Sequence, residues 1–237
     1  MMAGMPPSRK VPLLLAAVIF TLVIATVIVA YGYTRRTARN AEAALADMQR
    51  LHVNVSLMDV QSFVDSHAAT ASSKEVTRTE RRDGTCELVI RFDNRWLAKL
   101  HLAPPTNFAA GFTSSRGRVV RIEASIAVHR QIPGTFRNIY AAEATEQLFD
   151  PELGREPFYR VHKLANAESG KFIPLFLDQR LDERATPDQR KLAYSSLNLS
   201  CLYILGGCKD AEALAPSGWT AADKAGWRDE TTTEQSH

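Results

Sequence analysis

Read for hydrophobic and polar positions, the chain divides at Tyr33. From Val11 to Tyr33 it runs VPLLLAAVIFTLVIATVIVAYGY without one charged side chain, closed by Lys10 and Arg35. A hydrocarbon core about 30 Å thick needs roughly 20 apolar residues in helical form. A helix satisfies internally the backbone hydrogen bonds that lipid cannot make. The pattern predicts a transmembrane helix over 11–33, with Tyr31 and Tyr33 in the interfacial aromatic belt. The competing reading is a cleaved signal peptide, for which Ala30-Tyr31-Gly32 offers small residues. A secretory apolar core is only about 7–15 residues long, so an uncleaved anchor fits better. Residues 1–10 read as a short polar tail, which Pro6-Pro7 keeps from being helical.

Beyond the span, Thr34–Leu51 has no Gly or Pro, and Ala41, Leu45, Met48 and Leu51 recur at helical spacing. This predicts a stalk over 34–51 that docks on its own domain; the stripe is too short for a coiled coil. His52–Val55 reads as a short strand. Ser56 reads as the N-cap of a helix reaching His67, and 68–82 as an exposed polar loop. Period-two alternation then dominates: Cys86, Leu88, Ile90 and Phe92; Trp96, Ala98, Leu100 and Leu102; Val120, Ile122, Ala124, Ile126 and Val128. Such alternation marks antiparallel strands with one buried face, and a further strand fits around Asn107–Phe112. Asn138–Phe149 reads as a helix, Phe158–Leu164 and Lys171–Asp178 as strands, the latter at an edge or bulge because of Pro174. Thr186, Pro187 and Gln189 form a capping box opening a helix to Leu205, stopped by Gly206-Gly207. Asp210–Leu214 adds a turn, and 217–237 reads as a disordered polar tail. The expected fold class is α+β: an N-terminal transmembrane helix, then one domain over 52–216 with an antiparallel sheet and packing helices.

Composition narrows the function. With 45% hydrophobic and 23% charged residues in 237, the chain can bury a core of ordinary size and is not disordered. Of the net +3, residues 1–50 contribute +4, from six Lys/Arg against Glu42 and Asp47, leaving −1 for the rest. The basic character belongs to the anchor's flanks, Arg9, Lys10, Arg35, Arg36 and Arg39, beside lipid phosphates. No nucleic-acid partner is expected, since that needs a basic face on the domain. Counted naively these flanks favour a cytoplasmic domain. Yet long domains translocate largely regardless of charge, and the short tail with Arg9 and Lys10 resembles a signal-anchor n-region. Ala17, Thr21 and Ala25 repeat at the four-residue spacing that lets two membrane helices approach closely. This is either a homodimer contact or the ordinary Ala/Thr content of an anchor.

Three cysteines are present, Cys86, Cys201 and Cys208. A chain leaving a helix through Gly206 folds back over its last turns, bringing Cys208 near Cys201 for a disulfide. Closing so small a loop stabilises by about 2.5 kcal/mol in the chain-entropy model and implies an oxidising compartment. The alternative is two reduced, buried thiols. Cys86 reads as a small core residue. The histidines His52, His67, His101, His129, His162 and His237 show no ligand spacing, although His101, His129 and His162 fall on expected strands. No metal or cofactor is expected. GxSxG, SxxK, Walker and GxGxxG motifs are absent. Asp178, Asp182, Glu183 and Asp188, interleaved with Arg180, Arg184 and Arg190, read as a solvated salt-bridged surface. Asn198-Leu199-Ser200 matches a glycosylation sequon but falls inside an expected helix.

The order of parts resembles a type IV pilin: apolar helix, amphipathic extension, antiparallel sheet, C-terminal cysteine pair. The processing signal departs from the pattern, since Met5 follows Gly4 and 11–33 holds no acid. The stretches NLSCLYILGGCKDAEAL (198–214), TPDQR (186–190) and FDNRWLAKLHLAPPT (92–106) are similar to uncharacterised single-pass bacterial membrane proteins. That resemblance implies a bacterial envelope setting and no particular activity. The expectation is a domain on the outer side of the bacterial inner membrane, a non-catalytic accessory or interaction module for an envelope protein. An anchored hydrolase or transferase with an unlisted site is the alternative.

Overall fold

The computed structural model describes residues 7–78, 85–131, 137–148, 159–163, 175–182, 185–210 and 212–224. Its spine is one helix, α1, over Pro7–Met48. Residues 7–10, expected to belong to a non-helical tail, are helical and continuous with the span. Nearly every side chain from Leu13 to Val29 is exposed. Then one side becomes buried: Ala30, Thr34, Thr37, Ala38, Ala41, Ala44, Leu45 and Met48. The extension docks on its own domain. Among the described residues α1 is the one helix long and apolar enough to cross a membrane.

What it docks on is a seven-stranded sheet. The strands are β1 (Ser73–Arg78), β2 (Cys86–Asp93), β3 (Thr106–Ser115), β4 (Arg118–Gln131), β5 (Arg137–Gln147), β6 (Tyr159–Lys163) and β7 (Leu175–Asp182). Their order is β1-β2-β3-β4-β5-β7-β6. The first five form an antiparallel meander; β7 pairs parallel with β5 and antiparallel with β6. Arg116-Gly117 joins β3 to β4 with φ of 51° and 78°. Positive φ at both central residues is the two-residue turn whose twist suits a hairpin.

Period two decides what each strand buries. Leu88, Ile90 and Phe92 of β2, Phe108, Ala110 and Phe112 of β3, and Ile122, Ala124, Ile126 and Val128 of β4 line one face. α1 and α2 (Leu57–Ala68) cover it, the latter through Val60, Phe63 and Val64. Phe63 meets Phe112 edge-on at 5.2 Å between ring centroids. Each such large side chain stabilises by roughly 1.5–3 kcal/mol on burial. The alanines of α1 contribute differently, letting the helix axis come close to the sheet.

Several expectations are corrected. Val120 does not share the buried face: a bulge at Thr113/Ser114 leaves it opposite no partner and turns Val119 inward. Residues 73–78, expected as loop, form β1, drawn into the sheet by β2. Trp96–Leu102 is not a strand; Arg95–Lys99 is a short helix, α3, with Leu97 buried. No strand forms at His52–Val55; Asn54 has φ 74°, and the segment bonds Val119 instead. The stretch expected as a helix over Asn138–Phe149 is strand through Gln147, and Phe149 lies outside the described residues. The Ala and Glu of this stretch favour helices, yet β5 pairs on both sides, and tertiary pairing overrides propensity. β7 is interior rather than an edge, and Pro174 lies outside the described residues. Both helix caps hold: Ser56 accepts from the Asp59 N–H, and Thr186 with Gln189 forms the capping box of α4 (Pro187–Ser195). α4 stops at Ser195, well before Leu205. Asn198 diverts the backbone, accepting from the Ser200 N–H and donating to Ala213 O, and a 3₁₀ turn over Leu199–Leu202 follows. Pro216–Lys224, expected largely within a disordered tail, is helix α5. Residues 225–237 lie outside the described residues.

A chain beginning at Tyr31 is predicted to fold without its span, whereas one beginning at Gln49 loses the docked half of α1 and its cooperative transition. Thermal unfolding followed by circular dichroism checks this. Met48→Ala in the longer chain is expected to cost about 2–5 kcal/mol.

Candidate functional site

The strongest candidate is the end of the domain where α1 enters it. Val29 is 71% exposed and Ala30 4%. Ala30 packs on Leu97 and Ala103, with Leu100 and Leu102 around them. Thr34 turns its hydroxyl to Ala30 O at 2.8 Å, which keeps that buried face free of unpaired polar atoms. Tyr31 stands edge-on to Tyr203 at 6.4 Å and Tyr33 edge-on to Trp96 at 6.3 Å. The Lys99 ammonium lies over the Trp96 ring at 5.3 Å.

Two short segments build this collar. The first is α3 and the loop after it. Buried Asn94 holds it to β3, donating from Nδ2 to Pro104 O and accepting from the Thr106 N–H, both at 2.8 Å. The second is the loop closed by the Cys201–Cys208 disulfide, whose Cα atoms are 5.2 Å apart. It carries Tyr203, Ile204 and Leu205. The Gly206 N–H donates to Leu102 O at 2.7 Å and links the two segments. Gly207, at φ 67°, admits no side chain, since a Cβ would lie 2.6 Å from the Pro104 ring.

A second site was missed in the sequence. Glu146 lies on the core face of β5, in line with Ala142 and Ala144, and is fully buried. Its Oε1 accepts from the Val53 N–H at 3.1 Å and from Arg190 Nη2 at 3.0 Å. His52 Nδ1 lies 4.0 Å from Oε2. Burial pushes the Glu146 carboxyl above its ordinary range, against the pull of Val53, Arg190 and His52. Beside it, buried Tyr194 is pushed up by desolvation and by the Glu146 charge. Thus Arg190 belongs to a buried node tying the segment after α1, β5 and α4 together, and not to a solvated surface. Asp178, expected on that same surface, is also buried, paired with Arg180 Nε at 2.6 Å. Asp182's side chain, Glu183 and Arg184 lie outside the described residues. Reading 138–149 as a helix concealed Glu146; as a strand, its alignment with Ala142 and Ala144 becomes visible.

The other sheet face carries charge. Arg121 pairs with Glu123 at 2.8 Å and Glu143 at 3.0 Å, and the Thr145 hydroxyl donates to Glu143. Burial, then the Glu143 charge, pushes the Glu123 carboxyl up. A cavity of about 230 Å³ lies there between Glu87, Arg91, Asn107 and Glu123. A larger groove of about 410 Å³ runs between the end of α1 (Glu42, Leu45, Gln49) and Ser195–Ser200 with Pro216.

Cys201 and Cys208 come together as expected, while Cys86 is partly buried and free. Arg35, Arg36 and Arg39 are exposed on α1. Arg9 and Lys10 lie in α1, their side chains outside the described residues. Ala17, Thr21 and Ala25 are exposed within the span, and the Thr21 hydroxyl bonds Ala17 O at 2.9 Å. His67 pairs with Asp47 at 3.2 Å, linking α2 to α1. His101 sits in a turn at φ 55° rather than on a strand, so it does not line up with His129 on β4. The side chain of His162 and all of His237 lie outside the described residues. No group of three His, Cys, Asp or Glu side chains among the described residues is placed to hold a metal. Comparison with protein-family models, curated proteins and solved structures finds no match.

Glu146→Leu is expected to lower stability by about 3–5 kcal/mol, because Arg190 is left charged and unpaired in the interior. Glu146→Gln separates the charge from the shape. The folded-state carboxyl titrates above its unfolded value, so the folded state holds the proton more tightly. Wild type is therefore relatively stabilised at low pH and loses that advantage as pH rises from about 4.5 through the raised value. Denaturant titrations of both proteins from pH 4 to 7 should show the difference moving in favour of Gln.

Proposed function

We propose that the protein is a single-pass, membrane-anchored accessory domain without catalytic activity, displayed on the outer side of a bacterial inner membrane, where it positions an envelope partner. The observation that carries this reading is the continuity of α1. The same helix that is apolar enough to cross a membrane becomes the central element of the domain's core. A domain so built has a fixed height and orientation above its membrane, which suits presenting a surface. A disulfide closing the collar supports the oxidising side. The groove of about 410 Å³ between α1 and Ser195–Ser200 offers a partner a concave surface.

A pilin-like subunit is the second reading. The observation favouring it is the docking of the second half of α1 along an antiparallel meander, with the cysteine pair near the C-terminus. Against it stand Met5 after Gly4 and the acid-free span. Intact mass of the detergent-extracted protein separates the two: the anchored reading keeps Met1–Gly4, and pilin-type processing removes them.

The leading reading is tested in intact cells in two linked measurements. After acid trapping and denaturation, a maleimide polymer is expected to add once, at Cys86, and three times after reduction; three additions without reductant contradict the oxidising side. Photo-crosslinkers at Gln49 and Ser195 are expected to give one discrete heavier adduct, and those at Val89 and Asn107 none. No adduct at any of the four sites contradicts the partner role.

A further inference from the structure

We propose that the end of the domain formed by Trp96, Lys99, Ile204 and Leu205 is seated in the lipid interface of the membrane that α1 crosses. The inference rests on reading α1 as a membrane span. From Val11 to Ala30 the helix has 20 residues, which at about 1.5 Å per residue makes about 30 Å. That equals the hydrocarbon thickness. On the face of α1 that docks, exposure falls from 54% at Val23 to 4% at Ala30. The last turn in the hydrocarbon is thus followed immediately by the first turn held by the domain, with no spacer between them.

Whatever surrounds Ala30 and Tyr31 therefore stands at the level of the headgroups. Tyr203 meets Tyr31, Trp96 meets Tyr33, and Leu102 and Gly206 bond each other beside them. The exposed side chains there are of the kind that this zone favours. Beyond Tyr33, five large apolar side chains are exposed among the described residues: Met58, Trp96, Leu192, Ile204 and Leu205. Three of the five, Trp96 at 45%, Ile204 at 39% and Leu205 at 56%, gather at this one end. An indole settles at a membrane–water boundary, two aliphatic side chains enter the acyl margin, and Lys99, Arg35 and Arg36 reach phosphates. On this reading the disulfide holds Ile204 and Leu205 in a closed loop aimed at the bilayer beside α1. A second copy or another protein's helix on this patch would leave it shielded from lipid.

The test compares full-length wild type with Trp96→Phe in vesicles of phosphatidylcholine and phosphatidylglycerol, with plain or brominated acyl chains. Trp96 is partly exposed, so its replacement leaves the core intact. Trp96 is one of three tryptophans, and bromination should remove about a third of wild-type emission. Trp96→Phe should lose that sensitivity. Equal quenching in the two proteins, or none, while the chain resists alkaline extraction, overturns the seat and leaves the anchor standing. A chain that alkali extracts overturns both.

Discussion

The structure depends on one contact: the face of α1 from Ala30 to Met48 laid against the apolar face of the sheet. Small residues make it work. Ala38, Ala41 and Ala44 let the helix backbone lie close to β2 and β3, in one core with Phe92, Phe108, Phe112 and Ile122. Packing at interior density leaves little tolerance for a changed volume. The same helix continues into an apolar run of membrane length, so the contact that closes the core also fixes how the domain sits on that run.

Other features secure the two ends of that contact. At the end nearer the apolar run, α3 and the disulfide loop grip Ala30–Thr34, tied together by the bond from Gly206 to Leu102. At the far end, Asp47 meets His67 of α2, and beyond Met48 the chain is held through the Val53 N–H by Glu146. The Glu146–Arg190 pair is costly to bury, and such a pair stabilises only when its geometry is well satisfied. Here it joins three segments distant in sequence, with Glu146 Oε2 and Arg190 Nε buried without a hydrogen-bond partner.

The parts of this fold legible in the sequence are those where one physical signal acts alone. Strict alternation in β2 and most of β4 reflects one-sided burial, and the caps at Ser56 and Thr186 act within a few residues. Where signals conflict, reading from the chain went astray. β5 is rich in Ala and Glu, whose helical preference is outweighed by pairing with β4 and β7. The polar edge strand β1 is formed by its neighbour and not by its own pattern. Val119 replaces Val120 in the core because a bulge, invisible in period-two counting, changes parity. Of the candidate site, the cysteine pair and the tyrosines at the end of the span were evident. Glu146 and its partner Arg190 were not, since their meeting depends on β5 being a strand.

The continuity of α1 can be followed by amide hydrogen exchange along the helix in full-length protein held in lipid nanodiscs. Slow exchange should run unbroken from the apolar run through Met48, with lipid protecting one half and the sheet the other. Rapid exchange confined to Gly32–Arg39 would mean a hinge between anchor and domain, and would contradict that continuity.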